Sequence, residues 1–360
     1  TETVKVKIAA RRGDLRLLYI SPERLMGEID GLLREMNISL FAIDEAHCIS
    51  QWGHDFRPEY NRLSVLKKYF PKVPLMALTA TADKLTRKDI VTQLAMDNPQ
   101  VFISSFDRPN LTLSVRKNLN KKQKLSAILS FIEQHPRQSG IIYCMSRNST
   151  EILVRELSQY GISVTAYHAG LSSRETAQQA FLNDRVQIIC ATIAFGMGID
   201  KSNVRWVIHY NMPKSIECYY QEIGRAGRDG MKGDTLLFYS LGDVVMLSKF
   251  AEESGQKKIN LEKLRRMQQY AESPICRRRI LLSYFGETVD HDCGNCDVCK
   301  NPPQRFDGSV LAQKALSAIV RTEQQVTFNL LIDVLRGSHK AEILKRNYDK
   351  IKTMIMRSRF

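Results

Sequence analysis

The chain has 360 residues, 43% of them apolar and 25% charged, a globular composition that excludes a disordered chain and implies two or three folded units. No apolar run approaches the ~18 residues of a membrane-crossing helix and no secretory leader is seen, so a soluble, intracellular protein without a membrane partner is expected. Fifty-three Lys and Arg against 38 Asp and Glu give +15, a charge that attracts polyanions but also describes any generally basic surface.

Glu2–Ala9 gives no obvious start of a fold. From residue 15 to about 240, short apolar runs alternate with helical patterns. The predicted strands are Leu15–Ile20, Ser39–Ile43, Leu75–Leu78, Gly140–Cys144, Val164–Tyr167, Gln187–Ala191, Arg205–Tyr210 and Thr235–Tyr239. One helix is well punctuated: Asn148 and Glu151 start it, Ile152, Leu153 and Leu157 share a face, and Gly161 ends it. Such alternation predicts an α/β fold of parallel sheets with crossover helices. The strand count fits two sheets, with Ser104–Asn110 as the hinge between them. After residue 245 the strand pattern stops. Lys257–Tyr270 and Ile275–Phe285 read as helices, a Pro-rich joint follows at Asn301–Pro303, and Gln313–Val320 and Phe328–Leu335 read as two more. Residues 340–360 carry seven basic and two acidic side chains, either a binding arm or a frayed solvated end. The expected domains are 1–106, 107–244, 245–303 and 304–360.

Cys48, Cys144, Cys190 and Cys218 stand singly among apolar residues and read as reduced core cysteines. Cys276, Cys293, Cys296 and Cys299 form a cluster with x16, x2 and x2 spacing. Four thiolates suit a closed tetrahedral Zn2+ site. Disulfides, an iron–sulfur cluster, or His291 in place of one thiolate are the rivals. Arg277–Arg279 beside the first thiol read equally as phosphate contacts or as a solvated helix face.

Asp44-Glu45-Ala46-His47 directly follows the apolar run Leu40–Ile43. Two acids at the carboxyl end of a buried parallel strand lie where α/β sheets bind ligands. In a nucleotide hydrolase the first holds Mg2+ and the second polarises the attacking water, although surface turns often contain such a pair. Ser50–Tyr60 (SQWGHDFRPEY) then places rings and cations in a stretch too broken to be a strand. Exposed, they suit stacking on unpaired bases; packed inward, they need no ligand.

With Leu18–Leu25 (LYISPERL), Ala77–Ala82 (ALTATA), Ile141–Arg147 (IIYCMSR), Tyr167–Leu171 (YHAGL), Ala191–Lys201 (ATIAFGMGIDK) and Gln221–Gly230 (QEIGRAGRDG), these segments closely resemble, in order, the RecQ family of superfamily 2 DNA helicases, bacterial type. The resemblance spans nearly the whole chain. It implies two RecA-like parallel-sheet lobes, the first incomplete, followed by a small helical zinc-binding domain and the start of a winged-helix domain. ATP with Mg2+ would lie between the lobes. Asp44 would hold Mg2+, Glu45 would serve as general base, and His47, Thr79 and Thr81 would relay nucleotide state. Gln221, Arg225 and Arg228 would face the cleft, Arg228 as the arginine finger, with Gly198 and Asp200 also at the nucleotide. DNA would meet Gln51, Trp52, His54, Phe56, Arg57, Arg147 and His168, and Zn2+ the four clustered cysteines.

The implied activity is ATP-driven 3′-to-5′ movement on single-stranded DNA and duplex unwinding in repair and recombination. It implies a monomer at the bacterial nucleoid, partnered by single-stranded and partly duplex DNA and by a single-strand-binding protein. One departure is serious. The family's G-x-x-x-x-G-K-[ST] loop is missing, and no Gly-Lys dipeptide occurs. The chain is therefore expected to begin inside the first lobe and, alone, to hydrolyse ATP poorly or not at all. Two other classes stay open: a non-enzymatic DNA-binding module, and a superfamily 2 RNA helicase, which the aromatic loop and cysteine cluster disfavour.

Overall fold

Strands that are apolar almost throughout bury both faces, and a parallel sheet covered by helices on each side lets them do so. One six-stranded sheet of this kind, and a two-stranded parallel sheet that leaves Ala42 and Met76 exposed, are present in a computed structural model that describes residues 2–50, 56–196, 200–304 and 306–351. The chain divides into two compact units, 1–302 and 303–360. In the first unit, β1 (Phe41–Ile43) pairs in parallel with β2 (Leu75–Ala77), with Ile43 opposite Ala77. Helices α1 (Glu2–Arg11), α2 (Pro22–Glu28), α3 (Pro58–Asn61), α4 (Val65–Tyr69) and α5 (Lys84–Gln93) accompany them. Leu25, Leu33, Ile49, Leu66 and Leu94 build the core of this part.

The second sheet is wholly parallel, with strands β3 (Leu111–Lys117), β4 (Ser139–Tyr143), β5 (Val164–Tyr167), β6 (Ile188–Ala191), β7 (Val204–His209) and β8 (Gly233–Tyr239). Their spatial order is β3-β8-β7-β4-β6-β5. Every residue of β4 and β6 is buried. Helices α6 (Lys121–Glu133) and α7 (Arg147–Gln159) cover one face over Ile142, Cys190, Trp206 and Phe238. Helix α8 (Arg174–Leu182) covers the other over Ile141, Ile189 and Val207. Gly140 is obligatory in this packing, since a Cβ there would overlap the Trp206 indole.

Towards the β3–β8 end, helix α9 (Ile216–Ile223) shares a core with α11 (Lys257–Glu272) and α12 (Arg277–Tyr284). Tyr219, Met267, Tyr270 and Phe285 are buried there with Cys276 and Cys296. Helices α10 (Leu241–Glu253) and α13 (Asp297–Lys300) complete the first unit. The second unit holds α14 (Ser309–Arg321), α15 (Phe328–Leu335) and α16 (Ala341–Lys345) around Leu330, Val334 and Ile343.

Several expectations need correction. Leu15–Ile20 is not a strand: among the described residues no strand lies beside it, Tyr19 is 91% exposed, and only Leu18 and Ile20 pack on the core. Glu2–Arg11 is helical. Strand β3 and helix α10 lie where no element was expected. Helix α7 begins at Arg147, because Ser146 and Ser149 make the reciprocal cap expected of Asn148 and Glu151. Within the basic C-terminal stretch Ile343 is buried, so this part is folded rather than frayed; 352–360 lie outside the described residues. All four scattered cysteines are buried free thiols.

His135 follows α6 and its Nε2 lies 2.9 Å from Asp234 Oδ2 on β8. Burial opposes charge on the ring, but the Asp234 carboxylate and the Phe131 carbonyl outweigh it and raise the imidazole pKa above its usual 6.5. Asp234 is lowered, chiefly by the same bond. A raised histidine stabilises fully below its unfolded pKa and loses that contribution as pH rises through the folded one. A lowered aspartate contributes above its unfolded pKa and fails as pH falls. The pair therefore stabilises most between pH ~4 and ~6.5. Stability should be greater at pH 6 than at pH 9 in part by the pair's contribution, up to about 1 kcal/mol for so partly exposed a partner. His135→Gln should shrink the difference by that amount; an undiminished difference in the variant refutes the assignment.

Candidate functional site

The parallel register of β1 and β2 continues past the strand ends. Leu78 N–H donates to Ile43 O and Ala46 N–H to Leu78 O, both at 2.9 Å. The chain must turn at once between these two bonds, and Glu45 adopts φ 50, a left-handed conformation unusual for a side chain of its size. Asp44 is exposed, with Oδ1 accepting the Glu45 N–H at 2.8 Å. His47, 2% exposed, sets Nδ1 3.0 Å from Thr79 Oγ1 and 3.3 Å from Glu45 Oε2. Thr79 Oγ1 also accepts the Thr81 N–H at 3.3 Å. Asp44, Glu45, His47, Thr79 and Thr81 are thus gathered at one strand end. Tyr60, whose hydroxyl donates to Asp44 O at 3.4 Å, has its phenol pushed up to about 12, mainly by burial. Phe56 and Arg57 are half-buried beside this group, and Arg57 N–H donates to Cys48 O. Gln51, Trp52 and His54 lie outside the described residues.

The second sheet gathers another set. Gln221 is half-buried on α9, and the next residue, Glu222, makes a buried 2.7 Å contact with His209 Nε2. Arg225 is 5% exposed. It lies beside Tyr143, whose hydroxyl donates to Phe195 O at 2.9 Å and whose phenol burial pushes up. Arg228 is partly exposed, with Nη1 3.4 Å from Asp200 Oδ1. Gly198 lies outside the described residues. Arg147 opens α7, exposed, with its guanidinium over Gly170. His168 is buried, with Nε2 3.1 Å from Glu151 Oε1. Thr81 Oγ1 and Arg225 Nε are buried without a hydrogen-bond partner, a state that invites an incoming polar ligand.

The four clustered sulfurs all lie within 4.8 Å of one another. Cys296 Sγ stands 3.3 Å from Cys299 Sγ and 4.0 Å from Cys276 Sγ, and Cys293 to Cys299 is 3.9 Å. Tetrahedral Zn2+ with bonds of ~2.3 Å places its thiolates about 3.8 Å apart, so the donor set fits zinc. These separations are too long for S–S bonds and too short to enclose an iron–sulfur cage. His291 is not part of the group; its side chain is 80% exposed and turned to Asp290. Backbone N–H groups of Arg277, Cys293, Asn295 and Cys299 point at the sulfurs at 3.4 Å. Burial raises the Cys293 thiol, but the Asn295 N–H and further donors outweigh it and bring the thiol down to about 7. Cys276 and Cys296 are N-caps of α12 and α13, so a bound zinc would tie two helix starts together.

Neither expectation for Arg277 and Arg278 holds. Both are buried struts: Arg277 pairs with Asp297 at 3.0 Å, and Arg278 pairs with Asp107 at 2.6 Å and donates to Leu111 O. Arg279 is half-buried and faces Asp292 at 3.1 Å. Sequence reasoning also missed Glu222 with His209, and Arg108 and Asn110, which hold the backbone around Arg225. Asn295 and Asp297 lie inside the cysteine spacing, the one signal that pointed to them.

Residues 2–90 match the DEAD/DEAH box helicase family, 120–230 the helicase conserved C-terminal domain, 241–300 the RecQ zinc-binding family and 302–354 the RQC domain. The ATP-dependent DNA helicase RecQ of Pasteurella multocida is 46% identical over 357 residues, covering 98% of this chain and 56% of that protein. Its namesake in Haemophilus influenzae is 48% identical over 346 residues, 94% of this chain and 55% of that protein. The chain thus spans little more than half the length of these relatives. Among solved structures, S. cerevisiae Dbp5 bound to RNA and ADP BeF3 aligns with a TM-score of 0.50 at 18% identity, over 68% of this chain and 68% of that one. That is a likeness of fold alone.

Metal analysis should find one zinc per chain. Cys296→Ser should lose it and unfold the segment around α12 and α13, because the metal's binding energy is folding energy there. Iron with acid-labile sulfide, or full zinc with unchanged melting in the variant, overturns the site.

Proposed function

We propose that this chain, which belongs to the RecQ family of helicases, is the motor part of an ATP-dependent DNA helicase. It moves 3′ to 5′ on single-stranded DNA and unwinds duplexes in repair and recombination. The observation that carries this reading is the hydrogen-bonded group of Glu45, His47, Thr79 and Thr81 at the end of β1. Mg·ATP, when bound, supplies the phosphoryl group that water attacks. Asp44 would hold the cation and the Glu45 carboxylate would take the water's proton. His47 ties the base to Thr79, so a shift of either strand end is felt by the other. Arg228 is the finger, since its exposed pair with Asp200 is worth at most about 1 kcal/mol and is readily exchanged for phosphate. The domain limits 1–106, 107–244, 245–303 and 304–360 serve as working boundaries.

DNA runs over Gln51–Arg57, Arg147 and the neighbourhood of His168. Rings there stack on any base for ~1–3 kcal/mol each, without sequence preference. The protein acts as a monomer at the nucleoid and meets a single-strand-binding protein there. Because no Gly-Lys phosphate loop is present, these 360 residues by themselves bind DNA and hydrolyse ATP poorly. ATPase assays of this segment beside the full-length protein test that point, and comparable turnover by the two refutes it.

In the full-length protein, Glu45→Gln should abolish turnover while ATP binding survives. Arg228→Ala should lower kcat roughly 10³-fold or more; a few-fold loss makes Arg228 structural. Trp52→Ala, Phe56→Ala and Arg57→Ala should lower stimulation by single-stranded DNA while basal hydrolysis and melting persist. Loss of ~3–5 kcal/mol of stability with every activity assigns the loop to core packing instead. Equal stimulation by RNA refutes the DNA preference.

A further inference from the structure

The loop Gly224–Met231 carries both arginines of the nucleotide-facing set, yet it is neither helix nor strand, and its carbonyls need partners from elsewhere. Arg108 supplies three of them. Its Nη1 donates to Gly224 O at 3.3 Å, its Nη2 to Ala226 O and Gly227 O at 3.0 Å each, and its Nε to Asn110 Oδ1 at 3.4 Å. With its oxygen so occupied, the Asn110 amide turns Nδ2 to Gly227 O at 3.0 Å and Met231 O at 2.8 Å. Gly227 has φ +57, and a Cβ there would stand 2.5 Å from Asn110 Nδ2. The loop therefore closes on the amide as far as glycine alone permits.

A second cation holds the far side. Arg205 pairs with Asp229 and donates to Ser202 O at 3.2 Å, Asn203 O at 3.1 Å and Lys232 O at 3.5 Å. It thus joins the segment after Asp200 to the segment after Arg228. Arg108 is itself set on a firm base. Asp107 pairs with buried Arg278, and Phe106 O accepts the Tyr220 hydroxyl at 2.9 Å.

We propose that Arg108 and Asn110 are positioning residues for the arginine loop. They fix the backbone from which Arg225 and Arg228 reach the nucleotide, so the catalytic geometry depends on the segment between the two sheets. Their donors are charge-assisted or doubly used, and no water replaces a planar fork with three carbonyls in one geometry. The proposal rests on the reading of Arg228 as the finger. A displacement near 1 Å at such a group costs roughly 10²-fold in rate.

The test uses the full-length protein and its DNA-stimulated ATPase. Arg108→Ala should lower kcat roughly 10²-fold while the KM for ATP stays within about threefold, the signature of an interaction needed in the transition state. Arg108→Lys, which keeps the charge but not the fork, should restore only part of the loss at an unchanged melting temperature. Arg108→Ala combined with Arg228→Ala should be slower than Arg228→Ala alone by far less than 10²-fold, since the two share the Arg228 contribution and only the displaced Arg225 remains to be lost. Multiplying effects, full activity of Arg108→Lys, or less than a few-fold loss in Arg108→Ala overturns the proposal. Amide hydrogen exchange separates it from the finger reading. If Arg228→Ala barely changes kcat, the finger assignment fails. Faster exchange confined to 224–231 in Arg108→Ala then still supports the held loop, and unchanged exchange refutes it.

Discussion

The outer edge of β3 is the constraint on which the first unit depends. An edge strand presents unpaired N–H and C=O groups that a protein must cover or leave to another chain. Here the cysteine-bearing segment covers them. Val115 N–H donates to Asp297 Oδ2 at 3.0 Å, and Leu111 O accepts from Arg278 at 2.6 Å and from the Asn295 amide at 3.4 Å. Asp297 also holds Arg277, which reaches the Tyr270 and Ala271 carbonyls near the end of α11. Hydrogen bonds to charged groups are worth ~1.5–3 kcal/mol each. The metal segment is thus no appendage: it stands where a seventh strand would otherwise stand.

The same logic of register explains the group at the end of β1. With Ile43 opposite Ala77, the residues that follow each strand run side by side, and His47 meets Thr79. The left-handed turn at Glu45 costs ~1–3 kcal/mol, and the bonds on either side of it hold it in place. Two motifs far apart in sequence become one cluster because one pairing fixes both.

These relations also decide how much could be read from the chain. The central strands were legible because β4 and β6 are short, almost wholly apolar runs and β7 carries Trp206–Ile208 at its centre. Strand β3 was not, because Leu111, Leu113 and Val115 alternate with polar residues at an edge directly after Pro109. Leu15–Ile20 has a strand's composition, but a strand needs a neighbour and this segment has none among the described residues. The four cysteines were legible as a group from their spacing, which suited zinc but left disulfides, an iron–sulfur cluster and His291 as rivals until the sulfur separations decided between them. Arg277 and Arg278 were not legible, because a row of charges looks the same whether it faces water or is buried against a half-exposed aspartate. Asp107–Asn110 reads as punctuation, and nothing in a turn-forming sequence reveals that its side chains are also donors.

Glu287 accepts from Ser105 Oγ at 2.8 Å and from Phe106 N–H, and the Phe106 ring stacks on Phe285 at 4.4 Å. From Ser105 onward, the segment read as a hinge is therefore fastened to the second sheet and the cysteine domain. Upstream, Ala95 and Asn98 turn through positive φ and residues 101–104 are exposed. The link between the sheets thus changes character within a few residues, running over the surface before Ser105 and mortared into the second sheet and the cysteine domain after it.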